Sequence, residues 1–458
     1  MLSERIPLLI SLGAWLSAFC ALPAERPFIV GVCAHFGQGK GHLPGNLSLM
    51  KQAGVVSFRD ELAWRSLERA RGQLQVPQQF TDFILESVKQ GLEPMLILDY
   101  GNPFYDKGDK PLSPEAIEGF VRYSEFVVTH FRGKVKHYEV WNEWDIGIGG
   151  TTPGTAEDYV RLLAAVYPRI KKVDPSIIVY GGAMTPGGIR NGWMERMLKA
   201  GALNSLDQVS IHTYNYSNSG RERTPEAWAS WMKDIEALID KYRGGKKYPL
   251  VVTEMGWPTQ IDRRGTPPSV SADYLARMYL LGRTIPAMRG IWWYDFQDDG
   301  WQASYNENNF GLVRPDLTPK PGYFALADIS RVVGTAEFVG RVETSDPEIW
   351  VLRFRTADRK GVLAMWSAHE DDGWQITLRN NGNLSPLVVT EVGHGSVTRE
   401  WGARNWAEAR TAAAIPNELQ LVVRGTPWVI TGDLADVSIT EVKRREQPEA
   451  MRGGVFLR

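Results

Sequence analysis

The sequence predicts a (β/α)8 TIM barrel followed by a C-terminal antiparallel β-sandwich. From Phe28 to about residue 335, short apolar strand-like runs alternate with amphipathic helical patterns, eight units in all. Beyond about residue 336 the helical period is lost, and short β-rich runs follow one another with turn residues between them. No Gly-rich phosphate turn follows the first strand, which argues against the open doubly wound sheet.

The β-branched and aromatic runs place barrel strands at 28–34, 55–60, 93–99, 135–143, 177–181, 208–212, 250–254 and 290–295. Helices are expected at 78–90, 114–130, 155–173, 225–242, 271–285 and 322–332. In the first of these, Phe80, Phe83, Ile84 and Val88 share one face. Pro114 and Pro225 stand at first-turn positions behind the capping residues Ser113 and Thr224. Sandwich strands are expected at 337–342, 350–356, 361–367, 374–378, 387–391, 418–423 and 428–431. The boundaries that follow are a signal peptide at 1–24, a barrel at 25–335, a sandwich at 336–443 and a loose tail at 444–458.

Arg5 precedes the apolar run 6–22, which is short for a membrane span and ends at Leu22-Pro23-Ala24, a small-residue cleavage site. A lipid anchor on Cys20 is disfavoured by the bulky Phe19 before it. Cleavage after Ala24 leaves Cys33 as the single cysteine, so no intrachain disulfide is expected. The expected location is the periplasm or exterior of a bacterium. An uncleaved segment would instead anchor the chain to a membrane, and otherwise no stable membrane partner is expected. A formal charge of −1 gives no reason to expect a nucleic-acid partner, and a monomer is expected. The 17 Trp and 16 Tyr suit either sugar stacking or core packing, so composition alone does not choose.

Two strand ends bear on chemistry. Tyr138-Glu139-Val140-Trp141-Asn142-Glu143 and Val251-Val252-Thr253-Glu254 are apolar runs that close on a carboxylate. An unpaired carboxylate there costs several kcal/mol or shifts its pKa. In a barrel of this kind, reactive groups sit at the C-terminal ends of strands. Glu143 ends strand four and Glu254 ends strand seven, so the two can face each other across the mouth. Such a pair is what cleavage of a glycosidic bond needs. The plain alternative for either residue is a salt bridge at the barrel rim.

The neighbours fit the same chemistry. Asn142 precedes Glu143, and strand alternation puts one in the mouth and the other beside it. An amide there can donate to a sugar 2-hydroxyl. Arg59, on strand two, can keep Glu254 ionised and fix its orientation. His212 and Tyr214 come to the rim on strand six, where the phenol can hold one oxygen of Glu254. Trp293 is the candidate floor beneath a sugar ring, one of the Trp292–Trp293 pair facing each way. His35, His42, His130, His137 and His212 show no metal-ligand spacing, and no metal or cofactor is expected.

With these residues in view, the chain resembles the clan A retaining glycoside hydrolases. Within the clan it is most similar to family 39 and its bacterial exopolysaccharide-hydrolase relatives. The resemblance rests on Trp141-Asn142-Glu143, Thr253-Glu254-Met255-Gly256-Trp257, Arg59, the His212/Tyr214 pair, the opening Gly31–Phe36 and the run Arg59–Trp64. It implies Glu143 as acid/base, Glu254 as nucleophile and His35 in the sugar site. It covers about 300 residues; the loops after strands three, five and eight match no single substrate class.

Hydrolysis with retention of configuration is therefore expected, on a polysaccharide or oligosaccharide. The aromatics Tyr100, Phe104, Tyr105, Trp144, Tyr216, Trp257, Trp301 and Tyr305 near the mouth suggest several sugar subsites and endo action. Asp145, Asp295, Asp298 and Asp299 suggest a neutral polymer rather than an anionic one. An exo-acting β-glycosidase, a transglycosylase and a non-catalytic carbohydrate-binding protein are the rival readings. The tryptophans of the sandwich, Trp350, Trp366, Trp374, Trp401, Trp406 and Trp428, are read as packing residues.

Overall fold

The computed structural model describes residues 28–151, 153–369, 373–381, 387–393, 397–401 and 418–444. The signal peptide expected at 1–24, the tail beyond Arg444 and Trp406 lie outside the described residues. Two compact units divide between Gly334 and Thr335.

The first unit is a closed barrel of eight parallel strands: β1 (Ile29–Cys33), β2 (Ser57–Glu61), β3 (Glu93–Leu98), β4 (His137–Val140), β5 (Ile178–Met184), β6 (Gln208–His212), β7 (Leu250–Met255) and β8 (Met288–Trp293). Each pairs with the next, and β8 returns to β1 with Ile29 opposite Gly290 and Val32 opposite Trp293. Cys33, Met95, Tyr180, Val251 and Trp292 pack together as one cluster of buried side chains. The Trp292 indole N–H donates to Ser57 Oγ at 3.1 Å. Gly31 makes room for that indole, since a Cβ there would lie 2.4 Å from Trp292 Cδ1. Gly31→Ala is expected to overpack this layer and destabilise the barrel by about 1–3 kcal/mol. A denaturant titration against wild type checks this; an unchanged midpoint would mean that the indole can move aside.

The helices follow the expected pattern where capping and amphipathicity are strong. Ser113 caps Pro114–His130, accepting from Ala116 N–H, and Thr224 caps Pro225–Lys241, accepting from Ala227 N–H. The helix expected at 271–285 instead spans Pro268–Gly282, with Pro268 in its first turn. The helix Leu43–Gln52, which follows β1, was not foreseen. Pro44 and Gly45 look like loop residues, but a proline in the first turn starts a helix, and the His42 ring accepts from Gly45 N–H. Among the described residues no helix is long and apolar enough to cross a membrane.

The second unit consists of a six-stranded and a three-stranded antiparallel sheet, the two layers of a β-sandwich. Strands Val397–Trp401 and Val437–Arg444 add to the seven expected. Trp366 and Trp401 are buried. The Trp350 ring is stacked on Trp366 at 5.8 Å and covered by the Arg341 guanidinium at 3.8 Å, so protein groups already occupy it.

Candidate active site

The C-terminal strand ends of the barrel surround a cavity of about 320 Å³. Glu143, Glu254, Asn142, Arg59, His35, Tyr214 and Tyr100 all line it, and His212 lies fully buried behind the two glutamates. One oxygen of Glu143, one oxygen of Glu254 and a ring nitrogen of His212 lie within 4.8 Å of one another.

The backbone reaches this arrangement by leaving strand geometry. β4 ends at Val140 rather than at Glu143, and Trp141 and Glu143 take left-handed φ values of 67° and 51°. Left-handed residues break the side-to-side alternation on which the sequence reading relied. Asn142 and Glu143 therefore both reach the cavity, whereas alternation would have sent one of them aside.

Arg59 is the hub of the site. Its Nε donates to Glu139 at 2.6 Å, Nη1 to Glu254 Oε1 at 2.7 Å and Nη2 to Asn142 Oδ1 at 2.8 Å. The second Glu254 oxygen accepts from the Tyr214 hydroxyl at 2.8 Å. Each oxygen of Glu254 thus has a donor that fixes its direction. The Asn142 amide nitrogen donates to Tyr100 at 2.9 Å and keeps a second N–H for a ligand. His212 Nδ1 bonds Glu143 Oε1 at 2.9 Å and stands 3.6 Å from Glu254.

These environments drive the two carboxyl groups apart. Burial and the neighbouring charge of Glu254 push Glu143 above the ordinary carboxyl range, and the His212 bond opposes this without cancelling it. Burial acts on Glu254 in the same sense, but His212, Arg59 and Tyr214 together outweigh it and hold the group below its ordinary value. His212 is pulled down by burial and lifted more strongly by the two glutamates, so its pKa ends above the usual histidine value. Opposite shifts in a facing pair assign one acid and one base.

Several expectations need correction. Trp293 is not a floor beneath the cavity: it is buried, and its N–H donates to Phe310 O at 3.1 Å. Trp292 and Trp293 do face opposite ways, but the residue that continues Trp292's direction to the mouth is Tyr294, which lines the cavity. Trp257 is likewise buried, bonded to Arg223 O and packed on Tyr274 and Trp293. Of the other mouth aromatics, Tyr100 and Tyr216 line the cavity, and Tyr105 and Trp144 are buried elsewhere. Phe104, Trp301 and Tyr305 remain exposed.

The four aspartates are not free rim anions either. Asp145 is bonded to Thr185, Asp298 pairs with Lys320 at 3.0 Å and Asp299 pairs with His35 and Lys40. Burial raises the pKa of Asp295 well above the ordinary value. The sequence-level case against an anionic substrate loses its basis here.

His35 lines the cavity and has its pKa raised to about 9: burial lowers it, and Asp299 and Asp295 more than compensate. His35, Asp295 and Asp299 form a second group with ligand-type atoms within 4.8 Å of one another. His35 Nδ1 and Lys40 already take the two Asp299 oxygens at 2.9 and 2.7 Å, which is the chemistry of an ion-pair network rather than of a vacant metal site.

Sequence reasoning passed over Glu139, Asp60, Glu61 and Glu307. Glu139 was in the quoted motif, and alternation with His137 could have turned it inward. Asp60 accepts from the backbone N–H groups of Phe36 and Gly37, and burial pushes its pKa up to about 7. Glu307 sits in a short 3-10 turn, Asn306–Asn308, where no local pattern marks it.

No family model matches the chain. A family 39 glycoside hydrolase from the gut symbiont Bacteroides cellulosilyticus superposes with a TM-score of 0.72 at 26% identity, over 90% of this chain and 82% of that one. A family 39 β-xylosidase from Caulobacter crescentus gives 0.63 at 17% identity, over 90% and 97%. In sequence, Beta-glucosidase 23 of Arabidopsis thaliana is 30% identical over 130 residues. That match spans 25% of this chain, and the chain covers only about a quarter of the length of this curated relative. In fold the chain is thus similar to family 39 glycoside hydrolases, and over a quarter of its length its sequence is similar to a plant β-glucosidase.

Proposed function

We propose that the chain is a retaining glycoside hydrolase of β-glycosidic bonds, with Glu143 as acid/base and Glu254 as nucleophile. The facing of the two carboxyl groups across the cavity carries the proposal: the nearer oxygens approach to within 4.8 Å, close enough to suit a retaining pair. Retaining pairs stand about 5–5.5 Å apart, and inverting pairs about 6.5–9.5 Å apart to admit a water. Glu254 attacks the anomeric carbon as the bond to the leaving oxygen breaks, and Glu143 gives that oxygen its proton. Glu143, now ionised, takes a proton from water. The water oxygen bonds the anomeric carbon and releases Glu254. Arg59 and Tyr214 hold Glu254 anionic and aimed; Asn142 offers its free N–H to the sugar. The plant β-glucosidase match supports the β configuration.

The substrate reading is an extracellular polysaccharide cleaved internally, by a monomeric enzyme exported behind residues 1–24. The exposed aromatics Phe104, Trp301 and Tyr305 on the mouth loops support it. One observation favours exo action instead: 320 Å³ is near the lower end of the roughly 300–1,000 Å³ range of ligand cavities. Reducing-end release from a panel of bacterial and plant polysaccharides separates the readings. Oligosaccharide products are expected, with the first-formed product keeping the β configuration by NMR. Single sugars alone would transfer the proposal to the exo reading, and an inverted first product would end the retaining one. An added acceptor sugar that captures most of the glycosyl groups would point to transglycosylation.

A further inference from the structure

We infer that Ile261, Trp301 and Tyr305 form a docking platform for a polysaccharide chain that continues out of the cavity. The inference rests on the glycosidase reading above. Among the described residues these are the three most exposed large apolar side chains, at 79%, 67% and 50%. Isolated exposed apolar groups are ordinary, but a cluster of them calls for a binding partner. These three lie on two loops bonded to each other: Ile261 N–H donates to Ala303 O at 2.7 Å, and Thr259 N–H to Asn309 O at 3.0 Å. The loops follow β7 and β8, so they leave the barrel at the face that holds the two carboxyl groups.

The β8 loop is held in advance. The Asn309 amide donates to Gln302 O at 3.0 Å and to Tyr305 O at 2.7 Å. Asp298 accepts from Gly311 N–H at 2.7 Å and pairs with Lys320. An indole presented on such a loop loses little freedom when a ligand covers it. The turn that begins after Tyr305 carries Glu307 into the cavity lining, so platform and cavity are two residues apart along the chain. That continuity selects a glycan as occupant. Gln302 and Ser304, both exposed between Trp301 and Tyr305, supply groups that bond sugar hydroxyls, while ring C–H faces lie on the indole and phenol.

The test uses the full chain carrying Glu254→Gln, run in native gels containing each polysaccharide of the panel. Retardation by at least one polymer is expected, weakened roughly tenfold by Trp301→Ala and similarly by Tyr305→Ala. Leu85→Ala, which trims an exposed side chain on the helix Gln78–Lys89, serves as control and keeps full retardation. In the chain with Glu254 intact, Trp301→Ala should lower the ratio of polymer to aryl-glycoside turnover about tenfold. Retardation unchanged in both aromatic variants overturns the platform, and so does retardation by no polymer. Self-association abolished by Trp301→Ala would overturn it too, by making the patch a contact between copies. Aryl-glycoside hydrolysis alongside any of these would show that the platform failed and the glycosidase reading did not.

Discussion

Glu254→Gln should lower turnover by about 10⁴-fold or more, the scale on which removal of a covalent nucleophile is felt. The amide is close in shape to the carboxylate but cannot form the glycosyl-enzyme ester. It also turns one of two acceptors into a donor, facing either Arg59 or Tyr214, both of which donate to Glu254 in the native site. A slow-turnover 2-deoxy-2-fluoro glycoside should add its glycosyl mass to the wild-type chain and leave the variant unlabelled. Peptide mapping should then place the label on Glu254. A variant retaining more than a per cent or so of wild-type activity, or a label on another carboxyl, would remove Glu254 from the role.

Arg59→Met is expected to act on stability and on pH dependence together. The guanidinium is buried between Glu139, Glu254 and Asn142, and Glu139 is itself fully buried. Breaking a buried pair by removing one partner costs about 3–5 kcal/mol, because the other charge stays behind without compensation. The catalytic effect has a definite sign. In the proposed mechanism turnover needs Glu254 ionised and Glu143 protonated, so activity should fall on the acid side as Glu254 takes a proton and on the alkaline side as Glu143 loses one. Arg59 is among the groups that hold Glu254 below its ordinary value. Without it the acid limb of kcat/KM against pH should move to higher pH, while the alkaline limb set by Glu143 moves less. A profile whose acid limb stays in place would show that His212 and Tyr214 suffice to keep Glu254 ionised.

The barrel was legible because its strands are buried on both faces and read as unbroken apolar runs; all eight fell within a few residues of their expected positions. The strong caps at Ser113 and Thr224 fixed helix starts for the same kind of local reason. Where a residue's direction depended on backbone departing from strand geometry, the sequence misled. Left-handed Trp141 and Glu143 put two neighbouring side chains into one cavity, and nothing in the letters Trp-Asn-Glu announces that. The tryptophans misled differently, because Trp257 and Trp293 have the composition of a sugar platform and the surroundings of a core. Charge was read one residue at a time, so Asp298 and Asp299 counted as anions until Lys320, His35 and Lys40 were seen beside them. Long-range pairs of this sort are absent from any local window.

The closure of β8 onto β1 bears on when the cavity is completed. Cys33 and His35 arrive from the first strand, and Tyr294 and Glu307 arrive some 260 residues later. Contacts so distant along the chain are slow to form, because a long loop must be closed before any pairing rewards it. A chain with seven strands docked already holds Arg59, Glu143 and Glu254, but lacks one wall of its cavity and the Asp299 partner of His35. During synthesis that wall is also among the last parts of the barrel to leave the ribosome. Completion of the cavity therefore waits on the pairing of the two ends of the barrel, and a chain truncated before β8 would carry Arg59, Glu143 and Glu254 without the wall that Tyr294 and Glu307 supply.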